Sequence, residues 1–281
     1  MGNILDRSDL SRKALRSFYN DPVNYPWGFE TVTTFNDPLD VRRLTVICDL
    51  LVSLKPKMIL DAGCGGGFVV KNLVDRSFNV YGMDFSINLL KAACLKNKLG
   101  DMLCADISNT PFKSSTFDCV VCSEVLEHIP DIEAAVDELF RILSVDGKLI
   151  VTVPNLSMFD SIEGKFAFVS KILKVVNFTR RVFGLKPVFS LGYDPHLHRK
   201  MVWEWKELLE SHGFIVIHDH ALLISPYIPH ALPSLKKIEM KIYGSKLFAR
   251  IQRLFEGKVA DLWPFKYTGQ CHLFLCTKID A

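Results

Sequence analysis

The spacing of hydrophobic residues switches repeatedly between strand-like and helix-like periods from residue 57 to residue 153. Short apolar runs predict strands at 58–60, 79–83, 101–105, 117–122 and 148–153. The helical period between them predicts helices at 68–76, 87–98 and 131–143. Alternation of this kind is typical of βαβ units, in which helices connect parallel strands.

Two more predicted strands, at 214–220 and 271–278, follow a predicted helix at 203–213. A long segment separates these two strands, which favours an antiparallel edge hairpin on an otherwise parallel sheet. The sequence therefore predicts an α/β fold with a seven-stranded, mostly parallel sheet, helices on both faces and an antiparallel last strand.

The rest of the chain predicts an N-terminal helical segment and two insertions. Residues 1–55 contain two helical patterns, at 8–20 and 39–54, and residues 56–281 form the main domain. The insertions, at 154–199 and 221–270, carry net charges of +4 and +5, whereas the whole chain has +3. Basic charge is therefore concentrated in the insertions, where it can act on a partner.

The insertions are predicted to form a cap over the active site. Residues 165–184 predict a helix with a polar stripe, formed by Ser170, Lys174, Asn177 and Arg181, and a mostly apolar remaining circumference. Such a helix packs as a lid, or lies on a membrane surface and meets a lipid-like substrate. RNA is an alternative partner of the insertions, because proteins bind it with basic residues interleaved with stacking aromatic residues.

Composition favours a folded protein of the cytoplasm. The chain is 49% hydrophobic and 23% charged, which is typical of a globular protein. It has no apolar run of about 20 residues and no signal-peptide pattern at its N-terminus. Its eight cysteines are scattered, which predicts buried, reduced thiols.

A glycine-rich stretch, DAGCGGG at 61–67, lies between the first predicted strand and its helix. Glycines let the backbone approach a ligand at a helix N-terminus. An acidic residue stands at the end of each of the next two strands. Asp84 can accept hydrogen bonds from ribose hydroxyls, and Asp106 can accept one from an adenine amine. The pattern predicts a nucleoside pocket at the carboxyl edge of the sheet.

The spacing argues against a dinucleotide. Phe68 stands where the dinucleotide fingerprint has its last glycine, which disfavours a nicotinamide-dependent oxidoreductase. Asp61, directly before the loop, disfavours a phosphate and suits a ligand that carries an amine and a sulfonium.

The ordered set ILDAGCGGG, YGMDFS, CADISNTPF, FDCVVCSEVLEHIPD and LSVDGKLIVTVPN resembles the motifs of class I S-adenosylmethionine-dependent methyltransferases. It is similar to the type 11 methyltransferase domain and to the ubiquinone-pathway O-methyltransferases within that class. The resemblance covers about residues 57–153 and implies a Rossmann-like fold with S-adenosylmethionine as cofactor.

The resemblance implies a role for each cofactor-binding residue. Three glycines would line the methionine moiety, with Asp61 supporting their loop: Gly63, Gly65 and Gly67. Asp84 would bind the ribose and Asp106 the adenine amine, with Ile107 against the ring. Ser123, after the fourth strand, would lie near the methionine end.

The stretch SEVLEH supplies the candidate catalytic residues Glu124, Glu127 and His128. If the chain turns helical after Ser123, these three side chains share one face. In many class I methyltransferases the Glu-His pair is only part of the fold. The stretch is also similar to the metal site of ubiquinone-pathway O-methyltransferases and small-RNA 2′-O-methyltransferases.

If a metal binds there, Mg²⁺ or Mn²⁺ is expected where carboxylates dominate, and the ion would activate the acceptor hydroxyl. The RNA enzymes add a distant histidine, which His196 or His198 could supply. Without a metal, His128 is a candidate general base because its ordinary pKa is close to neutrality.

We therefore expect methyl transfer from S-adenosylmethionine to a hydroxyl, or to another nucleophile, of a small-molecule or lipid-like acceptor. An RNA methyltransferase with a divalent-metal site is the first alternative. A nicotinamide-dependent oxidoreductase and a cofactor-binding protein without catalysis are the others.

Overall fold

The computed structural model of the chain describes residues 12–21, 38–155, 197–222 and 271–279, with single positions at 245, 247 and 250. The predicted helix at 165–184 and most of both insertions lie outside the described residues. None of the helices in the described ranges has the length and hydrophobicity that a membrane crossing requires.

The elements follow one another much as the hydrophobic periods predict. The helices are α1 (Arg12–Asn20), α2 (Pro38–Leu54), α3 (Phe68–Val74), α4 (Ile87–Asn97), α5 (Ile132–Ile142) and α6 (Val202–Ser211). The strands are β1 (Ile59–Ala62), β2 (Val80–Asp84), β3 (Met102–Cys104), β4 (Phe117–Ser123), β5 (Leu143–Pro154), β6 (Phe214–Leu222) and β7 (Cys271–Lys278). A short 3₁₀ turn, Leu126–His128, follows β4.

The seven strands form one sheet in the order β3-β2-β1-β4-β5-β7-β6. Strands β1 to β5 pair in parallel, and β7 runs antiparallel to both of its neighbours, β5 and β6. This arrangement confirms the predicted mostly parallel sheet with an antiparallel last strand. The chain order reverses beside β1, so the carboxyl ends of β1, β2 and β4 meet at one edge of the sheet.

Helices cover both faces of the sheet, as predicted. On one face, Leu139 of α5 and Trp205 of α6 pack in a cluster with Val120 of β4. On the other face, Ile47 of α2 packs in a cluster with Val121. Successive strand residues point to opposite faces, so β4 contributes to both hydrophobic clusters.

The cysteines behave as the sequence predicts. All eight are free, and six of them are buried. Cys119 lies in one hydrophobic cluster and Cys122 in the other, so the two thiols point to opposite faces of the sheet. The Cys119-x-x-Cys122 spacing therefore forms neither a disulfide nor a chelate.

Strand β5 is longer than the sequence predicts, because it begins at Leu143 instead of residue 148. The stretch SVDG has the composition of a turn. Phe117 nevertheless pairs with Leu143, and the register shifts before Cys119 pairs with Lys148. Residues 144–147 bulge between these two pairs, and Asp146 has a φ of 61°, so the turn-like stretch lies within β5 as an interruption of its pairing with β4.

A partly buried ion pair fixes the loop after β3 onto α5. Glu138 Oε1 accepts hydrogen bonds from Thr110 N at 2.7 Å and Thr110 Oγ1 at 2.6 Å. Arg141 Nη2 donates to the same oxygen at 2.7 Å and to Phe112 O at 2.7 Å. The hydrogen bond from Arg141, followed by those from Thr110, lowers the pKa of Glu138 to about 2.

We predict that Glu138→Gln lowers the free energy of unfolding by about 1–3 kcal/mol at neutral pH, because the charged acceptor of several hydrogen bonds is lost. The pKa of Glu138 is depressed, so its stabilising effect is full above pH ~4.5 and is lost as the pH falls towards 2. Urea unfolding at several pH values measures both effects.

The control is Glu207→Gln on the exposed face of α6. This substitution should change stability little at any pH. An equal, pH-independent loss in both variants would contradict a special role for Glu138.

Candidate active site

A cavity of about 330 Å³ opens at the carboxyl edge of the sheet, where β1, β2 and β4 end. The glycine loop, the ends of these strands and the turn after β4 contribute its walls. Its acidic and imidazole lining residues are Asp84, Asp106, Glu124, His128 and Asp131. The cavity therefore joins the predicted nucleoside-binding acids to two of the candidate catalytic residues.

The glycine loop is held by the neighbouring strand. Gly63 N and Cys64 N both donate to Met83 O, at 2.7 and 2.9 Å. Gly63 has a φ of 86°, and a Cβ atom there would clash with the side chain of Val125. Gly65 has a φ of 49°, and a Cβ atom there would meet nothing within 4 Å, because this glycine faces the cavity.

Gly67 lies away from the cavity lining. It has a φ of 75°, and a Cβ atom there would lie 2.7 Å from Leu99 Cδ1 and 3.1 Å from Ala93 Cβ. Its small size therefore serves the close packing of the loop against α4. Of the three glycines, only Gly63 and Gly65 border the cavity.

Asp61 is buried beneath the glycine loop, with 2% of its surface exposed. Its Oδ2 atom accepts no hydrogen bond from the described residues. Burial, and then repulsion from Asp84, raise the pKa of Asp61 to about 8. A buried carboxyl group of this kind favours the arrival of a cationic ligand, because a positive charge offsets the cost of its ionisation.

Asp84 and Asp106 lie in the cavity wall, as the sequence predicts. Asp84 Oδ2 accepts from Gly65 N and its Oδ1 accepts from Ser86 N, each at 2.8 Å. Burial raises the pKa of Asp84, although these backbone hydrogen bonds oppose the shift. Asp106 Oδ1 accepts from Ser108 N at 2.9 Å, and the adjacent Ile107 also lines the cavity.

Ser123 ends β4 and lies behind the cavity wall. Its hydroxyl is 2.9 Å from Thr152 Oγ1 of the neighbouring strand β5. The predicted contact with the methionine end of the cofactor stays a prediction.

The helix that would align Glu124, Glu127 and His128 does not form. Glu124 N donates to Thr152 O at 2.9 Å, which continues the strand pairing past Ser123. Glu124 then adopts a left-handed φ of 56°, and only a 3₁₀ turn follows. Glu124 and His128 line the cavity, whereas Glu127 is completely buried.

Glu124, the first candidate metal ligand, already has two partners within the protein. Cys271 Sγ donates to Glu124 Oε1 at 3.3 Å, and Arg43 Nη1 lies 3.6 Å from Glu124 Oε2. Burial alone would lower the pKa of Arg43, but attraction to Glu124, and then to Asp40, raises it above its ordinary value. Arg43 is therefore the positive counter-charge of Glu124.

His198, one of the two histidines proposed as distant ligands, does not complete a metal site with the other described residues. His198 Nε2 lies 2.8 Å from Ile129 O, and His196 lies outside the described residues. His128 Nε2 is 3.6 Å from Glu127 Oε1. Within the described ranges, no three His, Cys, Asp or Glu side chains are placed to hold a metal ion. The side chains in these ranges therefore do not fit a Mg²⁺ or Mn²⁺ ion.

Sequence reasoning missed three residues at this site. Leu15 and Tyr19 of α1 line the cavity, and the ring centroids of Tyr19 and His128 are 6.1 Å apart. Arg43 reaches Glu124 from α2. The i, i+3, i+4 spacing of Leu15, Phe18 and Tyr19 indicates an apolar helix face, but not which surface that face covers.

The sheet order and the nucleoside-type cavity define the class I methyltransferase fold. The Methyltransferase domain family matches residues 60–151. The chain is 35% identical to the uncharacterized protein MJ0638 of Methanocaldococcus jannaschii, over 69% of this chain and 89% of that protein. It is 29% identical to a ubiquinone biosynthesis O-methyltransferase of Coxiella burnetii, over 61% of this chain and 71% of that protein.

A solved S-adenosylmethionine-dependent methyltransferase of Thermotoga maritima shares the fold, with a TM-score of 0.54. The two are 17% identical, and the match covers 85% of this chain and 88% of the other. The chain belongs to the class I S-adenosylmethionine-dependent methyltransferases. The cavity fits the cofactor: Asp84 and Asp106 lie in its wall where a nucleoside would bind, and Gly65 leaves open space in the glycine loop.

We predict that Asp84→Asn weakens the binding of S-adenosylhomocysteine, the demethylated cofactor, by about 1–3 kcal/mol. The substitution keeps the shape of the side chain but removes its charge-assisted hydrogen bonds to the ribose. Isothermal titration calorimetry measures the difference.

The matched control is Asp101→Asn, an exposed acid before β3, which should leave the affinity unchanged. NAD should fail to bind to the wild-type protein. Tight binding of NAD without binding of S-adenosylhomocysteine would contradict the assignment of the cavity.

Proposed function

We propose that the protein transfers the methyl group of S-adenosylmethionine to a hydroxyl, or to another nucleophile, of a small-molecule or lipid-like acceptor. One observation carries the proposal. A single cavity has the acids Asp84 and Asp106 at the strand ends of β2 and β3, and Glu124 and His128 after β4. Cofactor-binding and acid–base groups thus border the same space.

The walls between these polar groups favour an acceptor with apolar surface. Met83, Leu89, Val125, Ile129 and Pro130 line the cavity. Apolar walls also exclude water, which would otherwise compete with the acceptor. The similarity to a ubiquinone biosynthesis O-methyltransferase supports a hydroxyl as the methylated group and a lipid-like molecule as its carrier.

His128 is the residue that we assign as general base. Its imidazole lines the cavity, 20% of its side chain is exposed, and the ring of Tyr19 packs beside it. When bound, S-adenosylmethionine supplies an electrophilic methyl group. The protein then has to hold the acceptor oxygen in line and take up its proton, and an imidazole can do the latter near neutral pH.

Glu124 has a different task in this proposal. Its carboxylate is paired with Arg43, so it serves as a fixed hydrogen-bond acceptor that orients the methyl acceptor. Glu127 is buried behind His128 and holds the turn after β4. Its backbone oxygen accepts from Leu197 N at 2.7 Å and from His198 N at 3.1 Å.

A cytoplasmic enzyme with peripheral membrane contact is part of the same proposal. All eight cysteines are free, which suits a reducing compartment. The basic insertions would attract an anionic membrane that carries a lipid-like acceptor. A nucleic acid as acceptor is the competing possibility, since the same charges would attract RNA.

Incubation with isotope-labelled S-adenosylmethionine separates these acceptors. Cell material is divided into a lipid extract, a polar small-molecule fraction and total RNA, and each is analysed by mass spectrometry for transferred label. We expect labelled product in the lipid or small-molecule fraction. Label that enters RNA alone would contradict the proposal.

We predict that His128→Ala lowers turnover about 10²–10⁴-fold on the acceptor found in this way, because the general base is lost. Glu124→Gln should have a mild effect, and prior metal stripping followed by excess EDTA should have none. Steady-state kinetics measure these changes, and His218→Ala on the edge strand β6 is the matched control.

Dependence on a divalent ion would reverse this pattern. Chelation would abolish turnover while cofactor binding stayed nearly intact, Mg²⁺ or Mn²⁺ would restore it, and single or double substitutions of Glu124 and His128 would cost about the same. That outcome would show that the enzyme uses a divalent ion in its mechanism.

A further inference from the structure

Helix α1 forms one wall of the cavity, although it lies well outside the matched methyltransferase domain at 60–151. Leu15 is buried, and Leu15 and Tyr19 both line the cavity. The guanidinium of Arg16 lies 5.6 Å from the centroid of the Phe85 ring, and Phe85 is itself a lining residue. The helix therefore contacts both the β2 end of the cavity and the imidazole of His128.

A set of hydrogen bonds fastens the C-terminus of α1 to the start of α4. Ser86 Oγ donates to Tyr19 O at 2.9 Å, and Asn88 Nδ2 donates to Asn20 O at 2.6 Å. Asn20 Oδ1 lies 3.1 Å from Ser86 Oγ and accepts from Asn88 N at 3.3 Å. We call this set, formed by Tyr19, Asn20, Ser86 and Asn88, the α1 latch.

The latch satisfies polar groups at both helix ends. The last carbonyl groups of α1 and the first N–H groups of α4 have no partners within their own helices. Tyr19 O and Asn20 O supply two such acceptors, and Asn88 N is one such donor. Each helix end therefore caps the other, which favours one docked position of α1.

The latch is also connected to the ribose-binding acid. Ser86 N donates to Asp84 Oδ1 at 2.8 Å, while Ser86 Oγ bonds to α1. Ser86 is completely buried and is the N-cap of α4, where its Oγ accepts from Leu89 N at 3.3 Å. A single residue thus joins the acid that binds the ribose to the helix that covers the cavity.

We propose that α1 is part of the cofactor site, with Leu15 and Tyr19 as binding residues, and that the α1 latch couples its docking to occupancy of the cavity. When α1 is docked, it closes one side of the cavity. A bound cofactor would then contact Leu15 and Tyr19, and these contacts exist only while α1 is docked. The coupling is reciprocal. If docking of α1 increases the affinity for the cofactor by some factor, cofactor binding increases the equilibrium constant for docking of α1 by the same factor.

The proposal rests on the cofactor class of the family and not on the identity of the methyl acceptor. Its test therefore uses S-adenosylhomocysteine as the probe and needs no acceptor. A failed search for the acceptor leaves this test unaffected, and the two proposals can fail separately.

The experiment compares four full-length proteins: wild type, Asn20→Ala, Tyr19→Ala and the control Ser17→Ala. Asn20→Ala removes the side-chain acceptor of the latch, and Tyr19→Ala removes the wall beside His128. Ser17 lies on the exposed face of the same helix. Stopped-flow measurements give the dissociation rate of S-adenosylhomocysteine, and hydrogen exchange of the peptide at 12–20 reports the docking of α1.

We expect Asn20→Ala to accelerate dissociation by about 2- to 10-fold, which corresponds to the loss of one or two hydrogen bonds of ordinary strength. Tyr19→Ala should also accelerate it, and Ser17→Ala should not. Saturating S-adenosylhomocysteine should slow exchange at 12–20 in the wild type and slow it less in Asn20→Ala.

Equal dissociation rates in all four proteins, with exchange at 12–20 unaffected by S-adenosylhomocysteine, would overturn the proposal. Thermal unfolding without ligand identifies a variant that is globally destabilised. If Asn20→Ala unfolds early, Tyr19→Ala must still release S-adenosylhomocysteine faster than Ser17→Ala. Equal dissociation rates from Tyr19→Ala and Ser17→Ala would also overturn the proposal.

Discussion

The active-site edge depends on the hydrogen bonds between the loop after β1 and the end of β2. Gly63 N and Cys64 N bond to Met83 O, and Gly65 N bonds to the Asp84 carboxylate. These bonds require backbone angles that side chains resist, and they bring the loop against Val125 of the turn after β4. One local constraint thereby sets the distances among the glycine loop, Asp84 and the turn that carries His128.

This arrangement costs stability before any ligand binds. Asp61 and Asp84 are close together, and burial raises the pKa of both. The Oδ2 atom of Asp61, which accepts no hydrogen bond from the part of the chain that the structure describes, adds to that cost. In the proposed cofactor assignment, a ligand with a ribose and a positive charge would offset these penalties, because its hydroxyls would donate to Asp84 and its charge would favour ionised Asp61. Stored electrostatic strain of this kind is expected at a binding site and unexpected in a purely structural turn.

The turn after β4 is held from several directions at once. Thr152 O fixes Glu124 N, Arg43 neutralises the Glu124 side chain, and the segment at 197–198 binds Glu127 O. His128 is left in the cavity wall by these contacts. The Glu-x-x-Glu-His spacing is therefore compatible with both a metal-dependent and a metal-free mechanism. The two differ in whether a divalent ion or a neighbouring guanidinium supplies the positive charge beside Glu124.

The sequence by itself determined the alternation of strands and helices, the glycine loop and the strand-end acids, because these depend on local periods and on residues at fixed offsets. These features predicted the fold and the placement of Asp84 and Asp106 in one pocket, and the resemblance of the motifs to a known family added the cofactor class and Ile107. The sequence did not predict that Leu143 pairs with Phe117 of β4 ahead of the turn-like residues 144–147.

Tertiary structure alone decided what surrounds the turn after β4. Helical spacing put Glu124, Glu127 and His128 on one face, but strand pairing at Thr152 carries the chain into a left-handed residue and a 3₁₀ turn. Leu15, Tyr19 and Arg43 are 81 or more positions away from Glu124 along the chain, and no local pattern links them to it. Such contacts arise from the packing of α1 and α2 against the folded sheet, which is why the sequence revealed the helices but not the surface that they cover.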